Sequence, residues 1–354
     1  MFKPTNVTVA NKLTLFCHIT STDKEQRYPE QSPQQKVDKE EAFVNSPLHD
    51  ACKKGNLTRV KRILSQGLVD INSKVGNHQK TALMVAAQEG HCEIFDFLIG
   101  KGANMSQVDD DGKNFLYWSC KGGHVGMVEC VLEHYDVLTS SAMMTPLMQA
   151  AFYGYRNVCE FLVCMGASVS EVDPFGYKVL HWGCSGGHLD VVKYLLSLCI
   201  LDINSRANIG KTPLMKAAHE DHTDIVELLV RKGANVLQVD GTGSNVLHWA
   251  CSGGHLDVVK YLLSLCVLDI NSRAQGGRTP LMEAAFKEHR DIVELLVRKG
   301  ADVSQVDDWG ENVLQNSDMD GIEEIVKGIT RENIVNVRDR NKDEVTAAMI
   351  AKCN

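Results

Sequence analysis

No stretch of the 354-residue sequence comes near the roughly 20 consecutive apolar residues that a membrane-crossing helix requires, so no membrane insertion is expected. Positive charge is also short. Against 37 Lys and Arg stand 45 Asp and Glu, a formal net charge of -8, which gives no electrostatic footprint for a phosphate backbone. Nucleic acid is therefore not an expected partner. No secretory leader is expected either: the apolar stretch Val7 to Thr20 is interrupted by Asn11 and Lys12, and no small-residue cleavage site follows cleanly.

Catalytic and cofactor motifs are absent in the same residue-by-residue sense. Gly210-Lys211-Thr212 matches the end of a phosphate-binding loop, but Ser205 stands where the upstream glycine must be, so the backbone has no way to wrap a phosphate. Asp109-Asp110-Asp111-Gly112 lacks a calcium loop's first acidic ligand, which is Gln107, and its bidentate Glu, which is Trp118. His219-Glu220-Asp221-His222 is one residue too short to put two histidines on one helical face for zinc. Cys120 with His124, Cys184 with His188 and Cys251 with His255 recur at one spacing, yet each repeat offers two ligands and structural zinc needs four. No catalytic, cofactor or metal site is expected, and the chain is not expected to be an enzyme.

The twelve cysteines are not a disulfide framework. Most recur with an internal repeat, as Cys120, Cys184 and Cys251 at one position and Cys199 and Cys266 at another, inside apolar segments that call for a small residue. Cysteine used as a small hydrophobe belongs to a reducing compartment. The cytoplasm is the expected location, and the nucleus is compatible.

What the sequence does contain is a period. Residues 1–44 lack it, and Ser21 to Glu41 is dense in Gln, Glu, Lys, Asp and Pro, so a disordered arm is expected there. From Ser46 onward, Thr81, Thr145, Thr212, Thr279 and Thr346 open equivalent segments at separations of 64, 67, 67 and 67 residues. Segments of a second type begin near Asn114, Lys178, Asn245 and Asn312, so the unit is about 33 residues in two alternating forms. One double unit is written twice: Lys178–Ser244 and Asn245–Glu311 agree at 51 of 67 positions.

Each unit reads as two short helices and a turn. Thr212 before Pro213 gives an N-cap and a first helical residue with φ preset. Ile225, Val226, Leu228 and Leu229 mark one buried face of a second helix, and Gly233 is placed to end it in a left-handed conformation. The Thr-Pro-Leu opening, the Ala217-Ala218 pair, Gly-His before the second helix and Gly-Ala before a Gly-tipped turn resemble the ankyrin repeat, from Ser46 to Glu311.

That resemblance implies an all-α ankyrin solenoid of helix-turn-helix units joined by β-hairpin loops. About nine repeats and a truncated tenth are expected, near 46–80, 81–113, 114–144, 145–177, 178–211, 212–244, 245–278, 279–311, 312–345 and 346–354. The family histidine is kept as His49, His181 and His248 but is Met84, Met148, Met215 and Met282 in the Thr-opened repeats. In the family it bonds neighbouring backbone, so alternate repeats are expected to have looser loops. An irregular turn is expected at Thr139 to Met144, and a polar cap from Asn312, where Gln315, Asn316 and Asp318 replace His181, Trp182 and Cys184. Asp70-Ile71-Asn72, Asp202-Ile203-Asn204 and Asp269-Ile270-Asn271 resemble the consensus that asparaginyl hydroxylases recognise in ankyrin repeats, and the asparagine is expected to bond the hairpin.

Ankyrin geometry implies a concave face lined by first helices and hairpin tips. Between the two 67-residue copies, Lys216 becomes Glu283, His219 becomes Phe286, Glu220 becomes Lys287, Ile209 becomes Gly276 and Thr242 becomes Trp309. Phe152 and Tyr153 stand at the places of His219 and Glu220 one repeat pair earlier, with Phe175 and Tyr177 on the tip that follows. Charge reversal argues for exposure, and exposed aromatics anchor interfaces. Phe152, Tyr153, Phe175, Tyr177, Ile209, Lys216, His219, Glu220, Glu283, Phe286, Lys287 and Trp309 are the expected protein-binding residues. Trp118, Trp182 and Trp249 are expected to be partly exposed, because Gln149, Lys216 and Glu283 fill their position in alternate repeats. The expected function is a scaffold or adaptor, acting as a monomer and binding one or more proteins. The Leu-His-Trp-x-Cys-x-Gly-Gly-His segments at 180–188 and 247–255 resemble the gankyrin-like group of ankyrin-only proteins, which implies the alternative of an assembly chaperone or a regulatory subunit.

Overall fold

The helices are 7 to 10 residues long, too short to persist alone in water, where isolated helices below about 12–15 residues are marginal. They stand because they stack. The structure, a computed structural model, describes residues 46–134, 144–315, 321 and 324–328. The expected arm, most of the turn at Thr139 to Met144, Asn316 and Asp318 of the expected cap, and the partial tenth repeat lie outside the described residues. Two compact units divide at Asn208.

In the unit up to Asn208, α1 (Pro47–Lys53), α3 (Ala82–Gln88), α5 (Phe115–Gly122), α7 (Pro146–Phe152) and α9 (Val179–Gly186) pack one on the next. Their partners α2 (Leu57–Ser65), α4 (Cys92–Gly100), α6 (Val125–His134), α8 (Arg156–Cys164) and α10 (Leu189–Ser197) form a second row in the same order. In the unit from Ile209, α11 (Pro213–His219), α13 (Val246–Gly253) and α15 (Pro280–Phe286) are the first helices, backed by α12 (Thr223–Arg231), α14 (Leu256–Ser264) and α16 (Arg290–Arg298). Two stacks of helix pairs are the helical solenoid that the period implies.

The Thr-opened helices start as the sequence dictates. Thr81, Thr145, Thr212 and Thr279 accept the backbone N–H of Met84, Met148, Met215 and Met282 at 3.2 to 3.3 Å, with proline at the first helical position in three of the four. Each cap is worth about 1 kcal/mol against alanine. Close approach explains the small residues that follow: Ala86, Ala87, Ala150, Ala151, Ala217 and Ala218 are fully buried. At Gly253 the neighbouring helix is closer still, since a Cβ there would lie 2.6 Å from the His219 carbonyl oxygen and 2.6 Å from the His255 ring.

The loops are less strand-like than expected. Among the described residues, only Lys74–Val75 and Lys80–Thr81 form a two-stranded antiparallel ladder, β1 and β2, with an isolated bridge between Val306 and Asn312. The tips are closed instead by one bond across five residues. Asp109 donates to Lys113, Asp173 to Tyr177, Asp240 to Ser244, Ala274 to Arg278 and Asp307 to Glu311, at 2.8 to 3.0 Å. Left-handed residues end the second helices, with Gly233 at φ 91°, but Cys199 and Cys266 take the same role at φ 55°. Both of these cysteines are exposed, which corrects the expectation that they fill apolar gaps.

Candidate interaction surface

A buried aspartate organises every second hairpin. Asp109, Asp173, Asp240 and Asp307 are 3 to 5% exposed, and the Oδ1 of each accepts the backbone N–H groups two and four residues on. In three of them Oδ2 accepts the indole N–H of the tryptophan nine residues later: Trp118 at 3.1 Å, Trp182 at 3.1 Å and Trp249 at 3.0 Å. The tryptophan row is thus tied to the tips. Where the sequence has Ala207 or Ala274 in place of this aspartate, it has Lys216 or Glu283 in place of the tryptophan. The alternation of the two repeat forms is an alternation of this bonded pair. Its signal, Asp and Trp nine apart and in phase with the period, is present in the sequence and was missed there.

Exposure in the row follows from neighbours rather than from position. Trp118 is fully buried, against the expectation of partial exposure: a lysine lies over its ring as one does over Trp249, but Trp118 also has Lys121 4.8 Å from its centroid, Tyr117 packed edge-on at 5.2 Å and His78 at 5.8 Å. Trp182 and Trp249 are half-buried, as expected. Gln149, at the same position, is 2% exposed, so that position accepts a buried polar group.

In the unit up to Asn208, Phe152, Tyr153 and Tyr177 gather around Trp182. Phe152 meets Trp182 edge-on at 5.7 Å and Tyr153 at 5.1 Å, and Tyr177 lies 5.8 Å from Trp182 and 5.4 Å from His181. Burial pushes the Tyr153 phenol well above its ordinary pKa. Phe152, Tyr153, Phe175 and Tyr177 are all half-buried, so these rings contribute packing as well as surface.

The unit from Ile209 holds the more exposed members. Ile209 is 53% exposed, Phe286 53% and Trp309 72%. Lys216 and Glu220, however, are only 18 and 11% exposed, 3.7 Å apart and one helical turn apart. Glu283 is 22% exposed and forms an ion pair with Arg278, its Oε1 2.8 Å from Nε. Three of the four reversing charges, Lys216, Glu220 and Glu283, have an opposite partner beside them and do not by themselves mark open surface, whereas Lys287 is exposed as expected. Cations also cover rings: Lys211 lies 3.5 Å from the Trp249 centroid, and the Arg278 guanidinium 4.5 Å from that of Phe286, with the exposed Lys287 ammonium at 5.9 Å. His219 packs edge-on to Trp249 at 5.3 Å.

Consecutive tips are stitched by backbone. Within this unit Gly241 donates to Ile209, Gln275 to Thr242 and Asp308 to Gly276, at 2.8, 2.6 and 2.9 Å. Trp309 lies across Gly276, whose Cβ, if it had one, would sit 2.9 Å from the indole. The two differences Ile209 to Gly276 and Thr242 to Trp309 are thus one coupled exchange, a large residue moving from one tip to the next. The consensus asparagines also bridge loops: Asn72 accepts from Asn104 at 2.7 Å and Asn271 from Asp302 at 2.9 Å.

The family histidines do bond neighbouring backbone. His49 Nε2 contacts the Lys80 carbonyl at 3.1 Å and His248 Nε2 the Arg278 carbonyl at 3.3 Å, while the backbone N–H of Lys178 and Asn245 donates to Nδ1 of His181 and His248. Gln315 takes over that last role, accepting from Asn312 at 3.0 Å. Burial lowers the pKa of His49 and His248. A histidine held neutral in the folded state contributes stability above its unfolded pKa of about 6.5, and that stability is lost as pH falls below this value toward the folded one. Urea midpoints should therefore drop between pH 7 and pH 5, and the drop should shrink in a His49→Gln/His248→Gln variant. An unchanged slope would show that other groups govern the acid limb.

The Cys and His pairs considered as metal ligands have structural occupations. Cys120, Cys184 and Cys251 are fully buried, and burial pushes their thiols far above the ordinary range. His255 Nε2 meets the His219 carbonyl at 2.7 Å. Among the described residues, no group of three or more His, Cys, Asp or Glu is placed to hold a metal ion.

A family model described as "Ankyrin repeats (3 copies)" matches residues 28–109, 83–173, 166–240 and 232–307. The probable 26S proteasome regulatory subunit p28 of Saccharomyces cerevisiae is 34% identical over 271 residues, covering 75% of this chain and 90% of that protein. Ankyrin repeat and KH domain-containing protein mask-1 of Caenorhabditis elegans is 31% identical over 311 residues, covering 76% of this chain and 12% of the relative. Palmitoyltransferase AKR1 of Lachancea kluyveri is 28% identical over 241 residues, covering 66% of this chain and 29% of the relative. The chain spans only a small part of mask-1 and AKR1, and their whole-protein activities do not come with the match. The four matched stretches run over most of the sequence, and the chain belongs to the ankyrin repeat family.

Proposed function

We propose that this chain is a non-enzymatic scaffold or adaptor that binds a partner protein through its first helices and hairpin tips. The observation that carries the reading is the pattern of divergence between the two 67-residue copies. Core positions such as Leu214 and Leu281, or Ile225 and Ile292, are identical and buried, whereas Phe286 and Trp309 are new in the second copy and stay 53 and 72% exposed. Large exposed aromatics cost solubility and add little to a fold, and such residues are the usual anchors of protein interfaces. In the unit up to Asn208 the candidate binding residues are Phe152, Tyr153, Phe175 and Tyr177, all partly buried; in the unit from Ile209, Ile209, Lys216, His219, Glu220, Glu283 and Lys287 accompany Phe286 and Trp309. Buried reduced thiols fit a cytoplasmic or nuclear setting.

The likeness to a protein named as a proteasome regulatory subunit, which spans 90% of that relative, favours a second reading, a gankyrin-like assembly chaperone or regulatory subunit. Sizing of native extract followed by capture tests both. The scaffold reading expects the chain in complexes larger than its own 39.1 kDa, and elution as the free chain with nothing retained overturns it. One fixed set of subunits at constant stoichiometry selects the second reading.

A further inference from the structure

A cleft lies where the last tip of the first 67-residue copy meets the tips of the second. It measures about 540 Å³ and is lined by Thr242 and Ser244 on one tip, Ala274, Gln275 and Gly276 on the next, and Asp308 and Trp309 on a third, with Glu283 at its helical end. Five of the sixteen differences between the copies bring their second-copy residue onto its lining, Asn208 to Gln275 being one. Ile209 becomes Gly276, which clears the floor; Thr242 becomes Trp309, which raises a wall; Gly241 becomes Asp308, and Lys216 becomes Glu283. The last two changes take the lining from one positive charge to two negative ones. Divergence at scattered surface positions has no reason to act in one direction at one place.

The chemistry of the lining names what fits. Trp309 offers an indole face that is 72% exposed, and the electron-rich face of tryptophan is the best aromatic partner for a cation. The chain already uses this contact internally, with Lys80 over Trp118 at 3.8 Å and Lys211 over Trp249 at 3.5 Å. Both carboxylates are held in place from one side: Arg278 Nε meets Glu283 Oε1 at 2.8 Å, and Arg273 Nη2 meets Asp308 Oδ1 at 3.3 Å. Each arginine engages one oxygen and turns elsewhere with the rest of its fork, Arg278 toward the Phe286 ring and Arg273 toward the Val306 carbonyl at 2.7 Å. A further cation between the two acids would share them in the manner of an ion-pair network.

We propose that this cleft takes the lysine or arginine side chain of a partner segment, its cation against the Trp309 face and between Glu283 and Asp308. This rests on the reading of the face as a protein-binding surface. The segment is then an extended basic stretch lying across the tips, and the side chain in the cleft fixes its register.

The test uses the full 15N-labelled chain and follows the indole N–H signals of its four tryptophans, with Trp309 assigned by a Trp309→Phe variant. The probes are acetyl-Gly-Gly-Arg-Gly-Gly-amide, the same peptide with lysine, and the same peptide with norleucine. Arginine and lysine peptides should shift the Trp309 signal saturably at millimolar concentration, norleucine should not, and the Trp182 signal should stay in place. Glu283→Gln with Asp308→Asn removes both charges at nearly constant shape and adds no cation beside Arg278, so it should keep the fold and weaken the response about tenfold or more, the scale of a lost desolvated cation contact. An equal response to norleucine, or no response at Trp309, overturns the proposal. If Phe286→Ala abolishes capture of a partner protein while the cationic probes leave Trp309 unmoved, the protein-binding reading stands and the cation site alone is refuted.

Discussion

Trp118→Ala is expected to lower the unfolding free energy by about 3–5 kcal/mol, the range for deleting a fully buried large aromatic. The ring has no exposed surface, and its indole N–H reaches Asp109 at 3.1 Å. Removal leaves a cavity and also strips the cover from Lys80, a residue 4% exposed whose ammonium meets Gln88 Oε1 at 3.1 Å. Uncovering a buried ammonium adds to the cost of the cavity, which places the expected loss toward the upper end. Trp309→Ala, at 72% exposure, should change the urea midpoint hardly at all. The contrast between two tryptophans of one chain is the useful result. Similar losses for both would mean that the tips carry core energy.

Asp240→Ala should cost on the order of 3 kcal/mol, since hydrogen bonds to a charged group are worth about 1.5–3 kcal/mol each and several share this carboxylate. It accepts from the backbone of Thr242 at 2.8 Å and Ser244 at 3.0 Å, from the Thr242 hydroxyl at 2.6 Å and from the Trp249 indole at 3.0 Å. The sequence supplies its own control. Alternate repeats have alanine at this place together with Lys216 or Glu283 in place of the tryptophan. A double-mutant cycle of Asp240→Ala with Trp249→Lys should therefore show coupling, the double change costing clearly less than the sum of the single ones. Strict additivity would break the link between aspartate, tryptophan and repeat form.

The repeat and its helices were legible in the sequence because a 33-residue period, Thr caps and Gly terminators act locally, and the structure uses them as local chemistry dictates. Burial was less legible. Lys216, Glu220 and Glu283 read as open positions because single charges were compared, whereas Lys216 and Glu220 pair with each other and Glu283 with Arg278; of the four, Lys287 alone is exposed. Trp118 read like Trp182 and Trp249 because they share a position, but Lys121, Tyr117 and His78 close around the first while other neighbours flank the other two. A residue's exposure in a stack depends on the repeats on either side, which a single-repeat comparison leaves out. The Trp309 and Gly276 exchange shows the same thing in reverse: two differences that looked independent are one contact.

The central claim is that exposed aromatics of the second copy capture a protein partner and contribute little to the fold. Affinity capture from native extract, read by mass spectrometry, should be run with the wild-type chain and with Phe286→Ala/Trp309→Ala, alongside thermal unfolding of both. The account predicts that specific proteins retained by the wild type are lost from the double variant while the unfolding midpoint moves by no more than about 2 °C. Retention of the same proteins by the variant, or a large fall in its midpoint, would contradict it.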